Sequence, residues 1–425
     1  MFVWNLSHDR SMKKQNKRNI PTASKLSVAR QIFNYIPTHL VSSLAVETGV
    51  DEQARTFSPW SHVVAMGHAQ ISHSIGLNNL CDDLQLNSGP LSAIRGATPP
   101  SRNNLSHANK VRSSQLAEKL FWAVLEHLQK ISPRFGASRA GKKMIRRLKR
   151  AIHVVDSTTI ELIARCLDWG KHRRRKAAAK VHMRLNLQSF LPRFAIIGSA
   201  AEADAKRARE LCADIQAGEI ALFDKAYVDY GHLGDLHQRG VLWVTRAKEN
   251  MQCEVVESYP VRAGGDIVRD ELVGLKREAA RADYPDLMRQ VQAWVEVDGE
   301  RRLMVFLTNH LTWSPETIVA LYQQRWQIEV FFKQIKQTLK LADFLGISAN
   351  AVQWQIWIAL LVYLLIRYLG FLGDWSHSFS RLFGLIRSFL WKKWDVLSLL
   401  QRFGTAGGDF RLIAKPEQAY LPGFA

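Results

Sequence analysis

Two carboxylates stand where short apolar segments end. Asp156 follows Ile152–Val155, and Asp224 follows Ile220–Phe223. One such Asp is commonly a turn or cap residue, but two carboxylates held together in one sheet repel each other unless a cation separates them. Oxygen ligands without a nearby Cys or His cluster favour Mg²⁺ or Mn²⁺. Two such ions, about 3.5–4 Å apart, can activate a water and stabilise the leaving oxygen of a phosphodiester.

A third acid, Glu329, falls in a segment predicted to form one long helix from Pro315 to about Leu341. At about 100° per residue, one side of this helix carries Tyr322, Arg325, Glu329, Lys333 and Lys336. The adjoining side is apolar and would be buried: Leu321, Ile328, Phe332, Ile335 and Leu339. The alternative is a surface ion pair of Glu329 with Lys333. That pair does not explain the rest of the stripe, so we expect Glu329 to face the sheet as a third metal ligand.

The charge of the chain is strongly positive and unevenly distributed. Lys and Arg number 58 against 38 Asp and Glu, a net charge of +20, which predicts a polyanionic partner, either nucleic acid or an anionic membrane. Much of the excess lies in residues 131–184, on both sides of Asp156, and includes Arg173, Arg174, Arg175 and Lys180. A basic patch around an acidic site favours a phosphate backbone; a solvated face is the alternative.

Several classes of protein can be excluded or set aside. Hydrophobic residues make up 47% of the chain, which excludes wholesale disorder. The four cysteines are far apart, which argues against a disulfide framework or a zinc ribbon and favours the cytoplasm. No secretory signal is expected. Trp354–Leu372 is long enough to span a membrane, but we expect a core helix. A basic membrane protein anchored by this segment is the alternative.

Three sequence motifs resemble the DDE transposases of bacterial insertion sequences, specifically the insertion sequence four family. They are HVVDSTTI around Asp156, ALFDKAYVDY around Asp224, and the signature Y-x2-R-x3-E-x6-K formed by Tyr322, Arg325, Glu329 and Lys336. The resemblance covers roughly residues 30–370. It implies an α/β, RNase H-like mixed sheet with the two Asp residues on adjacent strands and Glu329 on a following helix. It also implies that Tyr322, Arg325 and Lys336 contact DNA phosphates.

The resemblance also implies how the chain is organised. The expected parts are a basic flexible arm (1–25), a helical DNA-end-binding domain (26–130), a catalytic domain (150–248 and 303–372), a β-rich insertion (249–302) and a C-terminal helical region (373–425). Within the insertion, Trp294 could receive a flipped base, with a packed core Trp as the alternative. Where the family often shows Asp-Arg-Gly-Tyr, this chain has Asp224-Lys225-Ala226-Tyr227. Lys225 keeps the charge but lacks the bidentate fork of Arg, so we expect a weaker hold on phosphate.

The activity implied is that of a transposase in the bacterial cytoplasm, associated with the nucleoid. It would cleave double-stranded DNA at the ends of its element with Mg²⁺ or Mn²⁺, in two-ion fashion, and join the freed 3′-OH to target DNA. A homodimer assembled on the DNA ends is expected, without a membrane. The competing hypothesis is a catalytically silent, transposase-derived DNA-binding protein. The departure at residues 225–226 supports it, whereas the three acids and the complete signature count against it.

Overall fold

The computed structural model describes residues 21–50, 57–136, 148–162, 171–172, 176–199, 204–297, 299–338 and 345–403. The chain divides into two compact units. A helical unit lies within residues 1–135 and 334–412, and a sheet unit lies within residues 136–333 and 413–425. Three of the expected DNA contacts, Arg173, Arg174 and Arg175, fall outside the described residues, as does Leu339 of the predicted buried stripe.

The helical unit begins with a run of short helices. They are α1 (Val28–Phe33), α2 (Leu40–Glu47), α3 (Pro59–Ser72), α4 (Leu77–Leu86), α5 (Ser88–Ser92), α6 (Arg102–Val111) and α7 (Gln115–Ile131). Helix α3 starts at Pro59, because the Ser58 side chain accepts a hydrogen bond from the Ser61 N–H and proline is tolerated in the first turn. The next helix, α4, begins at Leu77 after Gly76. Gly89-Pro90 does not break the chain, because the first turn of a helix leaves its N–H groups unbonded and tolerates proline.

The sheet unit is built on one mixed sheet. Its strands are β1 (Ile152–Leu162), β2 (Lys171–His172), β3 (Lys176–Asn186), β4 (Leu191–Ser199), β5 (Ile220–Phe223), β6 (Leu242–Arg246), β7 (Cys253–Ser258), β8 (Ile267–Leu275), β9 (Met288–Val297) and β10 (Glu300–Thr308). Within the described residues the strand order is β2-β3-β1-β5-β6-β10-β9-β8-β7, and β4 pairs with β3. Strand β5 lies parallel to both β1 and β6, and the other pairs are antiparallel. The predicted mixed α/β sheet is therefore confirmed.

The strands of residues 249–302 continue this sheet and do not form a sheet of their own. Strand β10 pairs with β6 through Phe306–Thr308 and with β9 along its whole length. Strands β8 and β7 then follow β9 outward. Because β10 is antiparallel to β6 and much longer than their shared pairing, the start of β10 and the end of β9 extend past the end of β6 at Arg246.

Five helices accompany the sheet in the described residues. They are α8 (Asp204–Leu211), α9 (Tyr230–Gln238), α10 (Glu278–Asp283), α11 (Pro315–Gln323) and α12 (Trp326–Thr338). The prediction of one continuous helix from Pro315 is wrong, because the segment breaks between α11 and α12. At the break, the N–H groups of Gln324 and Arg325 bond to carbonyl oxygens only three residues back, at 3.0 and 2.9 Å. This tighter winding interrupts the α-helical pattern. The predicted buried positions within the described residues are buried: Leu321, Ile328, Phe332 and Ile335.

The helical unit is completed by α13 (Ala349–Leu372), α14 (Phe379–Ser388) and α15 (Val396–Arg402). By length and apolarity α13 could cross a membrane, and it is the one such helix among the described residues. It packs against α1, α3, α6, α7, α14 and α15, which bury most of its surface. That burial is the reason for the all-round apolar sequence, so α13 is the predicted core helix.

A histidine is buried at the centre of the helical unit. Nε2 of His62 on α3 lies 2.8 Å from Oδ1 of Asn109 on α6, and its ring centroid lies 4.3 Å from that of Trp354 on α13. Burial lowers the pKa of His62 to about 3, the bond to Asn109 opposes this, and the charge of Arg112 reinforces it. The histidine is therefore neutral in the folded protein.

We predict that this histidine makes the helical unit sensitive to acid. The unfolded chain takes up a proton on His62 near pH 6.5 and the folded chain only near pH 3, so stability falls as pH falls below about 6.5. For one proton, the unfolding free energy falls by about 1.4 kcal/mol for each pH unit. His62→Gln lacks this proton, so its unfolding free energy should fall less between pH 7 and pH 5 in urea denaturation followed by circular dichroism. Parallel losses in the two proteins would contradict the prediction.

Candidate active site

The register of the parallel strands places two carboxylates side by side. Strands β1 and β5 pair from Ile152 with Ile220 to Val155 with Phe223. The next residues are Asp156 and Asp224, so the two acids lie at the same level on strands about 4.8 Å apart. Asp156 was expected to end its strand, but β1 continues to Leu162 because β3 pairs with it throughout. It is β5 that ends here, which opens the edge of the sheet beside Asp156.

Asp224 has two hydrogen bonds that fix its orientation. As the residue before the 3₁₀ turn Lys225–Tyr227, it accepts the Lys225 N–H at 2.7 Å through Oδ1. The hydroxyl of Tyr322 donates to the same oxygen at 3.1 Å. Burial raises the pKa of Tyr322 above its usual range and the charge of Asp224 adds to this, so the phenol stays protonated and remains a donor. Tyr322 is held in turn by Phe306 of β10, with ring centroids 5.1 Å apart.

Arg325 joins the other two acids. Its Nη1 donates to Oδ2 of Asp156 at 2.9 Å, and its Nη2 donates to Oε1 of Glu329 at 2.7 Å. Arg325 is only 8% exposed, whereas the side chain of Glu329 is 51% exposed. Among the described residues, the ion pair of Glu329 is therefore with Arg325, one turn back, and not the alternative pair with Lys333. Lys333 is exposed one turn further along α12, and Lys336 is half-buried beyond it.

The environment of Asp156 opposes a bare negative charge. Burial raises the pKa of Asp156 to about 6; Arg325 and the Ser157 N–H lower it, and the charges of Glu329 and Asp224 raise it again. This carboxylate is thus short of positive charge even with Arg325 beside it.

The three carboxylates have the ligand chemistry of a divalent-cation site, although the Arg325 guanidinium already contacts two of them. Within the described residues, no three acidic, His or Cys side chains are grouped closely enough to hold a metal ion. The reason is visible in the contacts, because the guanidinium of Arg325 bonds to Asp156 and Glu329. A single positive group that contacts both carboxylates is a stand-in for a cation, and carboxylate oxygens are the ligands that Mg²⁺ and Mn²⁺ prefer. By the chemistry of their oxygens, these carboxylates would suit such an ion in place of the Arg325 guanidinium.

A basic residue that the sequence reasoning missed lies at the same edge. Arg246 ends β6, and the pairing of Leu222 with Val244 puts Arg246 level with Asp224. Its charge counteracts the rise in the pKa of Tyr322. The signal was present in the sequence, since a third apolar strand ends in a charged residue. Lys225 lies next to Asp224, with its Nζ 2.9 Å from Oε1 of Glu249.

Two further predicted DNA contacts lie beyond this edge. Trp294 on β9 is 40% exposed and alternates with buried Ala293 and Val295, so the alternative of a packed core tryptophan is wrong. Trp294 pairs with Leu303 of β10, whereas Arg246 pairs with Phe306 of the same strand. Leu303 is three residues from Phe306, so Trp294 lies about 10 Å beyond the level of Arg246. Lys180 on β3 pairs with Thr159, likewise three residues past Asp156. The two strand pairs extend past the acids on either side of them.

Comparison with known proteins identifies the family. The model of the transposase DDE domain matches residues 147–365, and a domain of unknown function, DUF4372, matches residues 24–94. A transposase of Sinorhizobium fredii is 30% identical over 306 residues, which is 71% of this chain and 80% of that one. A transposase of an insertion sequence element of Geobacillus stearothermophilus is 27% identical over 52% of this chain and 58% of that one. The transposase InsG of the element IS4 of Escherichia coli is 25% identical over 44% and 43%.

Among solved structures, the synaptic complex of piggyBac transposase with hairpin DNA has a TM-score of 0.44 at 10% identity, over 97% of this chain and 88% of that one. The match to the DDE domain spans half of the chain and contains all three acids. The chain therefore belongs to the DDE transposase family, as an insertion-sequence transposase of the IS4 type that cleaves DNA and transfers its strands.

Proposed function

We propose that Asp156, Asp224 and Glu329 are the catalytic acids and that they hold Mg²⁺ or Mn²⁺, as two ions, at this edge of the sheet. Transposases of the DDE family generally depend on a divalent metal. When bound, such ions activate the attacking oxygen and stabilise the leaving one. The observation that carries the proposal is the register of β1 and β5, which puts Asp156 and Asp224 at the same level. Glu329 lies close to them, because Arg325 forms ion pairs with both Asp156 and Glu329. The same edge first cleaves the element end and then directs the freed 3′-OH at target DNA.

The other residues of the site hold the acids and the DNA in position. Tyr322 fixes Asp224, which leaves one carboxylate oxygen of Asp224 free of that bond. Arg325, Arg246 and Lys225 bring positive charge to the edge at which a phosphodiester must arrive, and Arg can bind a phosphate through two parallel bonds. The contacts of the three acids with the signature Tyr and Arg support the active enzyme over the catalytically silent alternative, for which the departure at residues 225–226 is the only argument.

The DNA would lie along the projecting edge of the sheet. Lys180 would contact the backbone on one side, and Lys333 and Lys336 of α12 would contact it near the cleaved strand. Arg173, Arg174 and Arg175, which fall outside the described residues, are also proposed to contact the DNA. On the other side, Trp294 offers an exposed ring for an unstacked base. The guanidinium of Arg301 lies 5.6 Å from the centroid of this ring and would add positive charge.

The remaining parts of the chain would recognise and arrange the element ends. We assign end recognition to the helical residues 26–130, which include nearly all of the segment matched by the domain of unknown function. The catalytic part would comprise residues 150–248 and 303–372, with 249–302 as an insertion that widens the sheet. A basic arm (1–25) would precede these parts and a helical region (373–425) would follow them. Two copies would assemble on paired double-stranded ends, associated with the nucleoid in the cytoplasm.

The metal-ligand role is tested by a substitution that keeps the local fold. Asp224→Asn retains an oxygen that can accept the Lys225 N–H, so the turn should survive. Cleavage of the cognate element end in Mg²⁺ should fall at least about a thousandfold, while end binding stays within about threefold. The matched control is Asp229→Asn, because Asp229 caps α9 nearby and Asn caps a helix equally well. Wild-type cleavage by Asp224→Asn would overturn the assignment.

The roles of Trp294 and Lys333 are separated by salt dependence. Trp294→Ala should weaken binding to an element end with unpaired terminal nucleotides by about 1–3 kcal/mol without changing the salt slope. Lys333→Ala should reduce the slope of log K against log salt by about 1, because one phosphate contact is lost. Leu303→Ala, which removes the exposed cross-strand neighbour of Trp294, is the control and should bind normally. Unchanged affinity of Trp294→Ala would refute its contact with a base.

A further inference from the structure

The Tyr and Arg of the signature hold the acids themselves in the DNA-free protein. Tyr322 bonds to Asp224, and Arg325 bonds to both Asp156 and Glu329, so one protein donor or another engages every member of the acidic triad. We propose that Arg325 masks the metal site until a DNA phosphate draws it away, so that the divalent cation binds productively only after DNA. This inference rests on the proposed function, because it takes Asp156 and Glu329 to be metal ligands.

The mask follows from competition for the same oxygens. Arg325 remains protonated at any working pH, so it is a permanent cation at this position. Its two bonds use Oδ2 of Asp156 and Oε1 of Glu329, which are oxygens that a metal ion would need. A charge-assisted bond at 2.7–2.9 Å leaves no space for an ion between the same atoms. A metal ion that takes Oδ2 of Asp156 in the free protein must therefore displace a buried guanidinium from a carboxylate that is itself only 16% exposed.

A phosphate group offers the guanidinium an equivalent partner. Arg binds phosphate through two parallel bonds, as it binds carboxylates, so the exchange conserves its hydrogen bonds. The bridge has an accessible end, because the Glu329 side chain is 51% exposed while Asp156 is nearly buried. A backbone phosphate can approach from the Glu329 side and turn Arg325 outward. The two carboxylates then repel each other without a counter-ion, which raises the affinity of the site for a divalent cation.

The consequence is a thermodynamic coupling between DNA and metal. If DNA raises the metal affinity by some factor, metal raises the DNA affinity by the same factor, and coupling of this kind is typically about 5–150-fold. The coupling would keep a free transposase from holding a loaded cleavage site, and it would complete the site only on bound DNA.

The mask is tested by measuring how tightly Mn²⁺ binds to the full chain without DNA. Electron paramagnetic resonance of the free ion reports the unbound concentration. Arg325→Gln should bind Mn²⁺ at least about tenfold more tightly than the wild type, because the competing cation is gone. Lys225→Gln is the charge-matched control, since it removes one positive charge from the same edge but leaves both Arg325 bonds in place. Its affinity should change less than about threefold. Equal Mn²⁺ affinity in Arg325→Gln and wild type would overturn the mask.

A conservative variant separates the bridge from its charge. Arg325→Lys keeps the charge but lacks the fork that spans two carboxylates, so it should also bind Mn²⁺ more tightly than the wild type. Circular dichroism establishes that each variant is folded, and if Arg325→Gln does not fold, Arg325→Lys decides the question alone. An Arg325→Lys affinity equal to that of the wild type would then overturn the mask.

Failure of the mask can be distinguished from failure of the proposed metal site. With an element-end duplex present, wild-type Mn²⁺ affinity should rise, and the rise should be smaller in Arg325→Gln. The double variant Asp156→Asn, Arg325→Gln should lose the tight site. If the double variant binds Mn²⁺ as tightly as Arg325→Gln alone, then Asp156 is not a ligand, and the proposed function fails together with the inference. If only the DNA-free difference between Arg325→Gln and wild type is missing, the metal site stands and the mask is wrong.

Discussion

The guanidinium of Arg325 bonds to Asp156 and Glu329. This bridge offsets the negative charge of the carboxylates that the sheet and helix α12 bring together. Burial raises the pKa of Asp156 to about 6, with further upward contributions from Glu329 and Asp224. An acidic cluster of this kind is stable only with a cation among its members. The protein supplies an internal one, and under the proposed function a divalent metal ion would take its place for catalysis. Much of the chemistry of the site follows from that substitution.

The sheet determines where this charge collects. Parallel pairing of β1 with β5 puts Asp156 and Asp224 level, and β6 adds Arg246 at the same edge. Short β5 ends at this point, while β1 and β3 continue on one side and β9 and β10 project on the other. Asp224 therefore follows a strand that ends between two extended strand pairs, and Asp156 lies beside it on β1, the inner strand of one of these pairs. One oxygen of Asp224 makes two contacts, because Oδ1 caps the following turn and also accepts the bond from Tyr322.

Much of this arrangement is predictable from the sequence, because apolar strands and their terminal acids follow short-range rules. The mixed sheet, the core helix α13 and the buried positions of α12 are confirmed. The break between α11 and α12 was not predicted, because apolar spacing continues through it and only the backbone bonds of Gln324 and Arg325 reveal it. The continuation of β1 past Asp156 depends on its pairing with β3, which is a long-range contact. Periodicity placed Arg325 beside Glu329, but its bond to Asp156 joins residues far apart in the chain and could not be derived from spacing.

The most direct test of a shared cation site at the three acids is to replace the metal with Fe²⁺ and map hydroxyl-radical cleavage of the protein chain, with the element-end duplex bound. Cuts should cluster around residues 156, 224 and 329, and excess Mg²⁺ should suppress all three together. Cuts at only one of these positions, or at other positions that Mg²⁺ also suppresses, would show that the acids do not share a metal site.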